Sequence, residues 1–277
     1  MQKAGTGWLY DQLRLHPDFW MPLKEFHYLN HAVPKIKKAA RGVAAATKPG
    51  PSLKRDARRP RPVEDRLFFR DVAALQGAEM NLGRYAALFN HKRNLLSGDI
   101  TPAYAMLRPK TIVEIASRFP NLKIALLVRD PVARVWSSLA MRERKGKVDL
   151  DRILGDAEGF RRFLASSGAL GDSSFPTRVM EHWKFHAPKL EFRAFFFDDI
   201  EQAPDLAREA IVSYLGGDPS KASGKLPSGH NKKAIFRRRE MTDVARNVLV
   251  DCFKDELRSC ASVLEGAARE WPKRYGL

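Results

Sequence analysis

The chain has 277 residues, 44% of them hydrophobic and 16 of them Phe, which excludes a disordered chain and leaves room for a single domain with one substantial core. Its 49 Lys and Arg against 32 Asp and Glu leave a formal charge of +17, so a polyanionic partner is expected: nucleic acid, a membrane surface, an acidic polysaccharide or a multiply phosphorylated cofactor. No run approaches the ~18 apolar residues of a membrane span, no charged-then-apolar signal opens the chain, and a cytoplasmic protein is the default.

Gln2 to Gly7 reads as a glycine-containing loop, and Trp8 to Leu15 as a helix closed by His16-Pro17. From Ala32 to Pro62, ten Lys and Arg face only Asp56, with prolines at 34, 49, 51, 60 and 62, which predicts a basic excursion rather than a packed element. Leu82 to Phe89 returns to helical spacing, Gly98 to Tyr104 is a turn with a Thr-Pro step, and Lys110 to Arg118 is a helix. Lys123 to Val128 is the clearest strand, a continuous apolar run suited to a parallel strand covered on both faces. Pro131 then opens a helix to about Lys145. Thr177 to His186 is a helix, Phe192 to Phe197 a second buried strand, and Leu206 to Leu215 an amphipathic helix stopped by Gly216-Gly217. A basic loop spans 218–240, and Thr242 to Glu270 reads as one long helix. On it, Cys252 and Cys260 would lie about 12 Å apart along the axis, too far for a disulfide. Strands alternating with helices imply an α/β architecture with a parallel sheet.

Two segments carry the chemistry. In Lys3-Ala4-Gly5-Thr6-Gly7-Trp8 a glycine turn feeds a helix N-terminus, whose free N–H groups and dipole make an anion site, with Lys3 adding a point charge. It is not the nucleoside-triphosphate loop, where Lys follows the last Gly and a Ser or Thr comes next, and this disfavours a nucleotide kinase. The second segment, Arg129-Asp130-Pro131 through Ser137, directly follows the buried strand, where ligands of open α/β sheets bind. Ser137 falls about two turns on, on roughly the same face, and guanidinium plus hydroxyl suits a phosphate. The plainer alternative is a local Arg129–Asp130 ion pair. His182 and His186, four apart, have the spacing of two metal ligands, but no third ligand of suitable spacing follows, and no metal is expected.

Taken in order, the lysine–glycine–threonine loop, Leu15-His16-Pro17, Lys24-Glu25-Phe26-His27-Tyr28, Gly98-Asp99-Ile100-Thr101-Pro102-Ala103-Tyr104 and the Arg-Asp-Pro…Ser element resemble the sulfotransferase family. The similarity looks closest to its heparan-sulfate and bacterial carbohydrate-type branch. Asp198-Asp199-Ile200, Tyr214-Leu215-Gly216 and a terminal helix ending near Trp271 continue it, whereas the basic excursion falls outside it. The resemblance implies one domain over 1–277, with a P-loop-like central parallel sheet flanked by helices. A loop of this kind follows a buried strand, yet only Met1 and Gln2 precede Lys3, so the first strand is expected to be truncated.

The implied activity is transfer of a sulfuryl group from 3′-phosphoadenosine 5′-phosphosulfate (PAPS) to an acceptor hydroxyl or amine, leaving 3′,5′-ADP. By position, Lys3 and the Ala4–Trp8 turn would hold the 5′-phosphosulfate, Arg129 and Ser137 the 3′-phosphate, and the loop around Asn231, Lys232 and Lys233 would complete the donor site. Glu25 matches the branch's catalytic carboxylate, with His27 the other candidate base, and Lys3 would neutralise the leaving group; the plainer alternative for Glu25 is a surface carboxylate paired with Lys24 or a neighbour. Two positions depart from the pattern: Ile100 stands where relatives often carry Lys, and Gly7 where many carry a second hydroxyl residue. The acceptor is expected to be a small molecule or an acidic glycan. The alternative, a non-catalytic basic module binding nucleic acid or another polyanion through 32–62 and Arg237-Arg238-Arg239, rests on charge alone, and no nucleic-acid motif accompanies it.

Overall fold

The computed structural model describes residues 1–30, 63–75, 79–221 and 239–277. Helix α1 (Thr6–Leu15) buries Trp8, Leu9 and Leu13, and α2 (Val63–Ala74), which the sequence reading passed over, opens with Glu64 and Asp65 and buries Phe68, Phe69 and Val72. Helix α3 (Leu82–Leu88) is capped by the Asn81 side chain, and α4 (Pro109–Arg118) starts on a proline and buries Ile112 and Ile115. Strand β1 (Lys123–Val128) leads into α5 (Pro131–Arg144). Two short helices follow, α6 (Leu150–Ile153) and α7 (Ala157–Ser166), capped by Asp149 and Asp156, and then α8 (Pro176–His186).

Strand β2 (Glu191–Phe196) begins and ends one residue earlier than expected, because Phe197 already opens α9 (Phe197–Gln202). Helix α10 (Pro204–Leu215) stops at Gly216, which takes the left-handed φ of 94° that a side chain resists. Helix α11 (Asp243–Val263) is shorter than its apolar spacing predicts. Glu265 and Gly266 turn to positive φ, and Gly266 passes so near the Phe196 ring that a Cβ would lie 2.7 Å from it; the chain resumes as a short 3₁₀ turn, Gly266–Glu270. Cys252 and Cys260 both lie on α11 and are free thiols.

Among the described residues the sheet has two strands, parallel, in the register Lys123↔Glu191 to Val128↔Phe196, with α5 to α8 forming the crossover. These are the two strands that the sequence reading named, and the described residues are mostly helical. Burial deepens toward the carboxyl ends of both strands, where Leu126, Leu127, Val128, Phe195 and Phe196 join one core with Leu9, Leu249 and Trp271. Along β1 runs an apolar cavity of about 510 Å³, walled by α1, Phe19, Met21, residues 96–102 and Phe192. At one end the Met1 amine donates to Leu127 O at 3.0 Å. No described helix is long and apolar enough to cross a membrane.

Candidate active site

The carboxyl ends of β1 and β2 and the amino end of α1 meet at one place. Gly5, at φ 92°, turns the chain into α1, and its O accepts the first helical bond, from Leu9 N at 3.0 Å. No side chain caps α1, so the N–H groups of its first turn, Thr6 to Trp8, keep their anion-binding character. Two absent side chains shape this cradle. A Cβ on Gly5 would lie 3.0 Å from Ile200 Cδ1 and 3.2 Å from Phe197, and one on Gly7 would lie 3.0 Å from Lys24 Nζ. Ala4 is fully buried beneath the turn, as is Trp8 on the helix side. Lys3 sits at φ 66°, with its Nζ 4.0 Å from Met141 Sδ on α5.

Arg129, the first residue past β1, donates from Nη1 to Lys3 O at 3.2 Å, and its guanidinium lies 4.3 Å from the Phe197 ring centre. The opening turn and the Arg-Asp-Pro element are therefore on one face of the molecule. Asp130 does not pair with Arg129, contrary to the plainer alternative. It caps α5, accepting from Val132 N at 2.9 Å and Ala133 N at 3.2 Å, and it accepts from Tyr275 OH at 2.6 Å. Burial raises the Asp130 pKa, against the pull of these donors. Ser137 is half-buried on α5, two turns from the Arg129 end.

Sequence reasoning missed two cations here. Arg134, on the first turns of α5, is buried, and its Nε has no hydrogen-bond partner among the described residues. Burial, and then the neighbouring Arg129 charge, lower its pKa to about 10. Its signal was its place three residues before Ser137 on one helix face. Lys24 reaches over Gly7, and its Nζ is 4.0 Å from Glu25 Oε1, so it links the turn to the candidate base. No local pattern reveals that link, because it depends on how residues 20–28 fold back over α1.

Glu25 is exposed and His27 half-buried, and both take left-handed φ, 59° and 63°. Glu25 N donates to Ile100 O at 3.2 Å and His27 N to Thr101 Oγ1 at 3.4 Å, so the Thr-Pro segment supports both. Three of the five described non-glycine residues with positive φ are thus site candidates: Lys3, Glu25 and His27. Such backbone clusters where surroundings impose it for function. Asn231, Lys232 and Lys233 lie outside the described residues. The flank of their loop is described: Arg239 O accepts from Trp136 Nε1 on α5 at 3.1 Å, and the Arg239 guanidinium pairs with Glu143 and Asp151. His182 and His186 pack edge to face at 5.0 Å, and His182 Nε2 meets Leu107 O at 2.7 Å, a packing role on α8.

A family model described as "Sulfotransferase family" matches residues 1–218. Among solved structures, a sulfotransferase from Alicyclobacillus acidocaldarius superposes with a TM-score of 0.63 at 17% identity, covering 98% of this chain and 95% of that one. No curated protein matches.

Proposed function

The chain belongs to the sulfotransferase family and is a transferase of sulfuryl groups, and from that premise we propose that its donor is PAPS, held between the Lys3–Trp8 turn and the Arg129–Ser137 element. The observation that carries this reading is the 3.2 Å bond from Arg129 Nη1 to Lys3 O, which joins the two anion-binding segments. The cradle suits the ligand: two positions where a Cβ would intrude, uncapped N–H groups, and the cations Lys3, Lys24, Arg129 and Arg134 around it. The 5′-phosphosulfate belongs over the turn and the 3′-phosphate beside Arg129 and Ser137, with the loop around Asn231–Lys233 closing the site.

In the step itself an acceptor oxygen or nitrogen attacks sulfur, and the bond from sulfur to the bridging phosphate oxygen breaks. The nucleotide leaves as 3′,5′-ADP. Glu25 takes the acceptor's proton, and Lys3, with Lys24, meets the charge that grows on the bridging oxygen. Positioning and charge stabilisation supply the acceleration, as in phosphoryl transfer. The exposure of Glu25 supports an acceptor that arrives from solvent, a hydroxyl or amine of a glycan or small molecule, in an acidic context matched to the basic surface.

The test is thermal unfolding of the full chain with nucleotides. Stabilisation by 3′,5′-ADP, about 2.7 kcal/mol at a hundredfold excess over Kd, with none from 5′-AMP at the same concentration, is expected. Equal stabilisation by both nucleotides, or by neither, defeats the donor assignment.

A further inference from the structure

Segment 25–29 carries two left-handed residues, Glu25 and His27, on a stretch that is neither helix nor strand until a short 3₁₀ turn at Tyr28–Asn30. Its backbone must be held from outside, and the bonds that hold it converge on one side chain. Glu25 N donates to Ile100 O at 3.2 Å, His27 N to Thr101 Oγ1 at 3.4 Å and Leu29 N to Tyr104 OH at 3.2 Å, while the Phe26 backbone favours the charged Asp99 carboxylate. Three of these five successive N–H groups are therefore taken by residues 100–104.

Asp99 organises two of these acceptors, the Thr101 and Tyr104 hydroxyls. Thr101 Oγ1 donates to its Oδ1 at 2.6 Å, while Tyr104 OH and Tyr85 OH donate to Oδ2 at 2.8 and 3.2 Å. A hydroxyl has one proton and two lone pairs, and an ionised carboxylate only accepts. With the Thr101 and Tyr104 protons turned toward Asp99, their lone pairs face the N–H groups of His27 and Leu29. Tyr85 adds a packing surface, stacking on Tyr28 at 5.3 Å and on Phe26 at 6.0 Å. Asp99 lines the β1 cavity, and the protein around it pushes its pKa up, opposed by the donors just named. A carboxylate kept in such surroundings with three hydroxyl donors is a built feature, and its geometry points at the backbone beneath Glu25 and His27.

We propose that Asp99 is a positioning residue, whose carboxylate, acting through Thr101 and Tyr104, fixes the 25–29 backbone so that Glu25 is presented to the acceptor nucleophile. The inference rests on the reading of Glu25 as proton acceptor, and it assigns to Asp99 a role in turnover without contact with either substrate.

Asp99→Asn tests it, because the amide keeps the size and brings N–H groups that oppose the hydroxyl protons. In the full chain, amide hydrogen exchange read by mass spectrometry should become about ten-fold faster in peptides covering 25–29 and stay unchanged in those covering α11. Unaltered protection at 25–29 overturns the proposal. Turnover is followed as 3′,5′-ADP released from PAPS with p-nitrophenol as acceptor. kcat should fall about ten-fold while KM for PAPS stays within about two-fold, since none of residues 3–8, 129 and 137 takes part in the network. In a Glu25→Gln background the second substitution should add less than about two-fold; an undiminished loss there overturns the proposal. Normal turnover in Glu25→Gln alone defeats the reading of Glu25, and the exchange result still decides whether Asp99 holds the segment. Should Asp99→Asn fail to fold, Thr101→Val and Tyr104→Phe each remove one relay. Faster exchange at His27 in the first and Leu29 in the second is expected, and no change in either overturns the proposal.

Discussion

Gly5 and Gly7 sit two residues apart in the same turn and do different work. Gly5 has positive φ, and a Cβ there meets Ile200 and Phe197, side chains locked at the start of α9. Gly5→Ala should therefore cost about 1–3 kcal/mol of stability in denaturant unfolding. A Cβ on Gly7 meets only Lys24 Nζ, the tip of a flexible chain. Gly7→Ala should leave stability within about 0.5 kcal/mol and still reduce kcat several-fold, because the ammonium is pushed off the turn. Equal stability losses in the two variants would refute the distinction. At this scale the glycine turn and the Arg129 element could be proposed from local pattern, whereas Glu25 entered only through the family resemblance. Lys24 was not legible, because it reaches the turn only as residues 20–28 fold over α1, and Arg134 offered only its place before Ser137 on α5, its burial being tertiary.

At the scale of elements, α5 is held at its amino end by the other end of the chain. Tyr275 OH donates to Asp130, Arg274 pairs with Asp198, and Trp271 Nε1 donates to Asp198 at 3.3 Å, so the last residues latch the starts of both α5 and α9. Burial raises the folded pKa of Asp130, while Tyr275, the α5 N–H groups and Arg274 oppose the rise. An acid whose folded pKa is raised contributes stability at low pH that is lost as pH climbs through that pKa. Tyr275→Phe removes a donor to the ionised form, so the folded pKa rises further and the loss grows with pH. The variant should be destabilised by about 1–3 kcal/mol at pH 7.5 and by less at pH 4, compared by urea unfolding. A deficit that is constant or larger at pH 4 would show that Tyr275 does not serve the carboxylate. Strand β1 and the helix opened by Pro131 were readable because an apolar run and a proline are strong local signals. Helix α7 escaped notice because Gly155 and Gly159 dilute its pattern, although Asp156 caps it, with Oδ1 accepting from Gly159 N. The overlong reading of α11 ran past Gly266, a local stop signal whose positive φ and closeness to the Phe196 ring require glycine there.

At the scale of the molecule, order along the chain was more informative than any one motif, which is why the family was readable although the similar solved structure shares only 17% identity. The two strands were readable as apolar runs, whereas their register depends on pairing that no single segment announces. Charge is a whole-molecule property with a location: residues 31–62 and 222–238 hold 15 of the 49 Lys and Arg and 1 of the 32 Asp and Glu, and so +14 of the +17. The remaining residues are close to balanced, so the field that a polyanionic donor meets at a distance arises from these two stretches, whereas the donor assignment proposed above places its final contacts at the turn and at Arg129. The two contributions separate by salt. Screening over a Debye length of about 10 Å at 0.1 M, shrinking to about 3 Å at 1 M, removes long-range attraction but weakens partly buried contacts far less. Steady-state kinetics between 50 and 500 mM NaCl should therefore show kcat/KM for PAPS falling about ten-fold while kcat stays within about two-fold. A flat kcat/KM would mean that the basic stretches do not steer the donor, and a parallel fall in kcat would place them in the chemical step instead.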